Sequence, residues 1–187
     1  MLDVSATSVR PGNYLSLDRG IWELINYEHV KPGKGGAFVR LRMKNMQTGA
    51  VLEKTYDADA KVTRCEVEEH QAQYLYRQGE KFVFMNMETY DQTEFGDAEL
   101  GTNTGYLKPD IELKVLTCEE RFIGIRLPIT VILKVTETPP GVKGDTVSRG
   151  TKQATLETGI VVNVPLFINA GDSIKLDTRT GDYLERA

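Results

Sequence analysis

An all-β chain of three small barrels is the fold class that this 187-residue sequence predicts, and three observations predict it. Short runs rich in β-branched and aromatic residues recur along the length, each closed by Gly, Pro, Asn or Asp. The first third shows no sustained helical period of apolar residues. Hydrophobic residues make up 40% of the chain, enough for packed cores, and the length exceeds what one small module needs. The modules are expected at residues 1–64, an SH3-like barrel, and at 65–127 and 128–187, two five-stranded barrels of the OB type.

Residues 20–30 are long enough for one strand entering the loop at 31–36. In residues 37–44, Ala37, Val39, Leu41 and Met43 alternate with Phe38, Arg40, Arg42 and Lys44, the pattern of a half-buried strand. Residues 45–49 read as a turn and 51–56 as the returning strand. Further on, 74–76 and 81–85 flank a Gly79 turn and predict a hairpin. Between 97 and 110 the glycines at 101 and 105 weaken any helix, leaving room for one short helical turn. Residues 111–115 and 121–126 are strand-like, as are the runs at 129–136, 151–156 and 160–164. Turns follow at Gly171-Asp172 and Thr180-Gly181-Asp182.

The net charge of −4 hides a division along the chain. Residues 1–64 hold 10 Lys+Arg against 7 Asp+Glu, residues 65–127 hold 6 against 13, and residues 128–187 hold 7 against 7. A polyanion is attracted to the first third and repelled by the middle, so the asymmetry orients binding more than it strengthens it. An acidic middle serving only solubility is the other reading. No basic segment followed by an apolar run opens the chain, and the apolar stretch at 160–168 is too short to span a bilayer. A soluble, cytoplasmic protein without membrane contact is expected, and a monomer. Cys65 and Cys118 make no disulfide framework, so buried thiols in a reducing cytosol are expected.

Catalytic patterns are missing. The two histidines, His29 and His70, complete neither a metal site nor a triad. Cys65 precedes His70 by five residues, but no second ligand pair follows. The only Gly-Lys pair, Gly33-Lys34, has Glu28 and Gly35 where a phosphate loop requires Gly and Ser or Thr. Glu66, Glu68 and Glu69 read as a solvated acidic face. Neither enzymatic activity, nor a cofactor, nor a metal is expected.

Lys31, Pro32, Gly33, Lys34, Gly35 and Gly36 form the most distinctive loop. Pro32 stiffens its approach, and glycine on both sides of Lys34 removes neighbouring side chains. An ammonium projecting alone suits a narrow anionic cleft, although a solvated Pro-Gly turn is the commoner use of such residues. The polar loop containing Gly144, Asp145 and Thr146 offers amides and a hydroxyl to phosphate or base edges. Tyr183 and Arg186 place a stacking ring and a phosphate-pairing cation near the end of the sequence.

Taken in order, these segments resemble the bacterial elongation factor P family. The carrying residues are 31–38 (KPGKGGAF), 74–76 (YLY), 136–146 (TETPPGVKGDT), Thr151-Lys152, 154–159 (ATLETG), 164–168 (VPLFI) and 177–183 (DTRTGDY). The resemblance implies a KOW/SH3-like N-terminal domain and two OB domains arranged in an L shape. It implies a translation elongation factor bound between the ribosomal P and E sites, in contact with both subunits and beside peptidyl-tRNA, that relieves stalling at consecutive prolines. Lys34 would then approach the CCA end of the P-site tRNA and be the candidate for post-translational extension by a lysine-modifying enzyme. Gly144, Asp145 and Thr146 would approach the small subunit and the E-site codon of the mRNA, and Tyr183 and Arg186 the P-site tRNA. Arg149 departs from the glycine that many members carry there. A general single-stranded nucleic-acid-binding OB protein is the alternative, which the acidic middle third disfavours.

Overall fold

The computed structural model describes residues 1–18, 20–33, 35–141 and 150–187, and among them sixteen strands form three antiparallel sheets that share no strand. The first contains β1 (Leu2–Ser5), β2 (Tyr14–Leu17), β3 (Gly20–Val30), β4 (Phe38–Asn45), β5 (Val51–Asp57) and β6 (Lys61–Cys65), in the order β1-β6-β2-β3-β4-β5. The second contains β7 (Val67–Gln78), β8 (Lys81–Asn86), β9 (Gln92–Gly96), β10 (Glu112–Cys118) and β11 (Arg121–Arg126), ordered β11-β10-β7-β8-β9. The third contains β12 (Thr130–Glu137), β13 (Thr151–Leu156), β14 (Val161–Pro165), β15 (Ser173–Asp177) and β16 (Tyr183–Arg186), ordered β14-β13-β12-β15-β16.

Alternation decides which residues enter each core. On β4, Val39, Leu41 and Met43 are buried while Arg40, Arg42 and Lys44 face out. They pack with Ala6, Val9, Leu15 and Leu24. On β12, Val131, Leu133 and Val135 enter the core of the third sheet and Ile132 and Lys134 do not. The central core is aromatic, with Tyr74, Phe82, Phe84 and Phe95 in contact and Phe122 stacked on Phe95 at 3.9 Å.

The short helical turn anticipated after residue 97 is present, as α1 (Asp97–Leu100) followed by a 3-10 turn (Gly101–Tyr106). Glu99 accepts a hydrogen bond from the Gly96 amide at 2.8 Å, which holds the first turn, and Leu100 is buried in the central core. The helix touches both β9 and β11, so it bridges the two edge strands that the sheet leaves apart. In the third sheet the edge strands β14 and β16 approach each other directly, which curls that sheet toward closure.

Two readings from sequence need correction. The strand expected at 74–76 is the end of a twelve-residue strand, β7, which begins at Val67. Its first half is too polar to show a strand pattern. Residues 67–71 are held by the ladder with β10, and the ladder with β8 takes over from Ala72, so backbone pairing holds the polar half where side-chain burial does not. The second correction concerns the cysteines: Cys65 and Cys118 are not separate thiols but a disulfide, with Cα atoms 6.2 Å apart. β6 ends at one and β10 at the other, and a sequence separation of 53 conceals that the two strand ends meet.

Those cysteines lie in a small apolar cluster between the first two sheets, together with Tyr14, Leu116 and Ile123. Above it, the Arg126 guanidinium donates to the Tyr14 hydroxyl and to Glu69, and Lys114 donates to Glu69 at 2.6 Å. A second close approach lies nearby. Gly101 has φ +57, and a Cβ there would stand 2.1 Å from the carbonyl oxygen of Gln47 in the β4–β5 turn. Only glycine fits that position without displacing the turn.

Candidate functional site

β3 and β4 form the longest hairpin of the first sheet, paired from Trp22–Asn45 up to Val30–Phe38. A register shift between Leu24 and Asn26 marks a bulge in the arm. Beyond the last pair only the connection at 31–37 remains, so the loop singled out from sequence joins β3 and β4 at the end of a sheet edge where β5 also pairs with β4 as far as Phe38. Lys31, Pro32, Gly33, Gly35 and Gly36 are all exposed. Gly35 adopts φ +106, a conformation unfavourable for an L side chain, so its glycine is a backbone requirement. Lys34 itself lies outside the described residues.

The strand leading to this tip carries three exposed cations. Arg40, Arg42 and Lys44 point outward along β4. Arg40 stands between Glu28 at 3.5 Å and Glu53 at 3.4 Å, which partly neutralises it. Among the described residues, Arg42 and Lys44 have no carboxylate within ion-pair distance. Glu23 lies opposite Lys44 and Glu53 opposite Arg42 in the register, so the face alternates in charge, with Arg42 and Lys44 available to an anion.

Of the other candidate residues, Tyr183 and Arg186 belong to the third sheet. Gly144, Asp145, Thr146 and Arg149 lie outside the described residues. The strands on either side are tied together: the Thr138 hydroxyl donates to the Gln153 carbonyl at 2.9 Å, and the Lys152 ammonium donates to the Pro139 carbonyl at 2.8 Å. Tyr183 and Arg186 share β16. Tyr183 is half-buried and packs against the core of its sheet, while Arg186 is exposed with Asp172 at 3.8 Å. The structure therefore places Tyr183 and Arg186 on one sheet and the β3–β4 connection on another.

Sequence reasoning overlooked what Arg179 does. Its guanidinium holds Asp177 with both oxygens engaged, at 3.0 Å and 2.6 Å, and its amide donates to the same carboxylate at 2.9 Å. The Arg179 side-chain hydrogen bond, with the amide's help, holds the Asp177 carboxyl down at about 2. The Gly181 amide then returns to the Asp177 carbonyl at 2.8 Å, closing the turn between β15 and β16. Asp and Arg two residues apart before a Thr-Gly-Asp turn was the available signal. At the junction of the first two sheets, burial and then the charge of Glu23 push the Tyr14 hydroxyl pKa up, while the Lys114 hydrogen bond holds that of Glu69 down.

Among the described residues, no group of three or more His, Cys, Asp or Glu side chains could hold a metal ion. No helix among them is long and apolar enough to cross a membrane. His29 and His70 lie on β3 and β7, in different sheets.

Comparison with known proteins covers the chain in three consecutive pieces. Residues 5–62 match the Elongation factor P (EF-P) KOW-like domain, 67–125 the Elongation factor P (EF-P) OB domain, and 131–186 the family described as Elongation factor P, C-terminal. Proteins named Elongation factor P from Pelotomaculum thermopropionicum and from a Picosynechococcus species are each 48% identical over 183 residues, covering 98% of this chain and 99% of theirs. Among solved structures, the eukaryotic-type translation initiation factor 5A from Methanococcus jannaschii aligns with a TM-score of 0.52 at 22% identity, over 65% of this chain and 90% of that one. An initiation factor 5A family protein from Naegleria fowleri aligns with a TM-score of 0.52 at 14% identity, over 67% and 98%. At such identities the structural likeness speaks for the fold alone.

Proposed function

We propose that this chain, which belongs to the elongation factor P family, binds the ribosome between the P and E sites and promotes peptide-bond formation at consecutive prolines. The observation that carries this reading is the exposed glycine loop at the end of the β3–β4 arm, with Arg42 and Lys44 along the approach. An arm of paired strands rooted in a six-stranded sheet delivers its tip to a fixed place. A loop whose glycines carry no side chains lets one lysine enter a narrow channel.

Proline's ring fixes φ and makes its nitrogen a constrained nucleophile, so loosely held peptidyl-tRNA spends little time in a reactive geometry. Lys34 near the CCA end of that tRNA restricts the motion electrostatically, and the ribosome performs the chemistry. The factor supplies order and needs no acid, base or metal of its own. A covalent extension of Lys34 by a dedicated enzyme adds reach and hydrogen-bond donors. In the same reading Gly144, Asp145 and Thr146 face the small subunit and the E-site codon, and Tyr183 and Arg186 approach the P-site tRNA.

The test is a reconstituted translation system with two reporters, one containing a proline run and one without. The wild-type chain is expected to raise the yield of the first only, and Lys34→Ala to lose that gain. Equal stimulation of both reporters, or full activity of Lys34→Ala, overturns the proposal. Binding to free oligonucleotides as tight as to ribosomes would instead favour a general single-strand binder.

A further inference from the structure

The first and second sheets are joined by a single residue. β6 ends at Cys65 and β7 begins at Val67, so Glu66 alone connects them. Val67 in turn lies opposite Cys118 in the β7–β10 ladder. The Cys65–Cys118 bond therefore runs beside the Glu66 linker and makes a second covalent connection between the same two sheets. One connection permits rotation about the linker's φ and ψ, whereas two side by side remove that freedom. Both cysteines are nearly buried, at 3% and 2% exposure, within the cluster that separates the sheets.

Their surroundings differ. Cys118 lines a cleft of about 360 Å³ at this junction, together with Met1, Gln47, Arg121 and Phe122. Cys65 does not line it. Small molecules thus have a route to Cys118 that Cys65 lacks.

We infer that Cys118 is a redox-modification site and Cys65 its resolving partner, forming together a reversible clasp that fixes the N-terminal barrel on the central one. The oxidant is a low-molecular-weight disulfide of the glutathione class. The Cys118 thiolate attacks one of its sulfurs, a mixed disulfide forms, and one small thiol leaves with the proton that Cys118 gave up. The Cys65 thiolate then attacks the Cys118 sulfur and expels the second small thiol. Two protein thiols have been oxidised and one small disulfide reduced to two thiols. Excess small thiol reverses both steps. Since the 31–36 loop belongs to the N-terminal sheet, the clasp sets how firmly that loop is aimed.

The experiment uses the full-length chain equilibrated with glutathione disulfide or with dithiothreitol, and does not depend on ribosomes or on Lys34. Non-reducing peptide mapping is expected to find the Cys65 and Cys118 peptides linked only after oxidation. Amide exchange through residues 64–67 is expected to slow about tenfold or more in the linked form. Cys65→Ser is expected to accumulate glutathione on Cys118, and Cys118→Ser to leave Cys65 unmodified. The inference is overturned by exchange that is the same in both redox states, by failure to form the linked peptide, or by glutathione settling on Cys65. The comparison of oxidised with reduced wild-type protein stands even if a serine variant folds poorly.

Discussion

Replacing Gly101 by alanine tests how the N-terminal and central barrels meet. Gly101 has φ +57 and ψ −135, a region that L residues avoid, and strain of that kind costs about 1–3 kcal/mol. The new Cβ would also stand 2.1 Å from the Gln47 carbonyl oxygen, backbone that cannot rotate away. Pushing the β4–β5 turn aside adds about 1–3 kcal/mol, the usual cost of overpacking. Gly79 supplies the control, because it sits at φ +63 in the β7–β8 turn with nothing within 4 Å. Gly79→Ala therefore carries backbone strain without the collision. Differential scanning calorimetry should place the Gly101→Ala transition below that of Gly79→Ala by roughly 2–12 °C, since about 1 kcal/mol moves a chain of this size by about 2–4 °C. Amide exchange should meanwhile rise in the 46–49 turn of the first variant and not of the second. Equal melting of the two variants, with no change at 46–49, would refute the argument that this contact holds the barrels together.

Adjacent positions on β12 should respond oppositely to truncation. Leu133→Ala empties a fully buried site and is expected to cost about 2–5 kcal/mol in urea denaturation, whereas Ile132→Ala, on the exposed face, should stay within about 0.5 kcal/mol. The Asp177–Arg179 pair should give the third sheet a distinctive acid response. The folded carboxyl titrates at about 2, below the ordinary value near 3.9, so its contribution is fully present above about pH 4 and is lost as pH falls toward 2. In Arg179→Met, stability should be lower at neutral pH and the slope between pH 4 and 2 shallower; an unchanged slope in chemical denaturation over that range would count against the pair.

What could be read from sequence, and what could not, follows from how local the cause is. β4 and β12 alternate or cluster apolar residues within one strand, so their position and, for β4, the buried face were legible. The 31–36 connection was legible because it joins consecutive strands. The first half of β7 was not, because its Glu, His and Gln side chains conceal a strand held by its ladder with β10. The short strands β1, β2 and β6 also escaped notice, since each has only four or five residues and is defined by partners elsewhere in the chain. The cysteine pair depends on two strands from different sheets ending at the same place, which spacing cannot reveal. Arg179, inside the 177–183 run, has its charge engaged locally by Asp177. The run at 177–183, among the most recognisable in the sequence, is in large part a device for closing a turn.

The division into sheets that share no strand has a further consequence, in the order in which the chain is made. All strands of the first sheet precede residue 66, so it can close as soon as that stretch leaves the site of synthesis. Cys65 is the last residue of that sheet, and its partner follows 53 positions later. For that interval the thiol waits at the exposed rim of a finished barrel, before the central barrel arrives to cover it. Pairing with the wrong partner is an early hazard of this chain, and the arrival of β10 ends it.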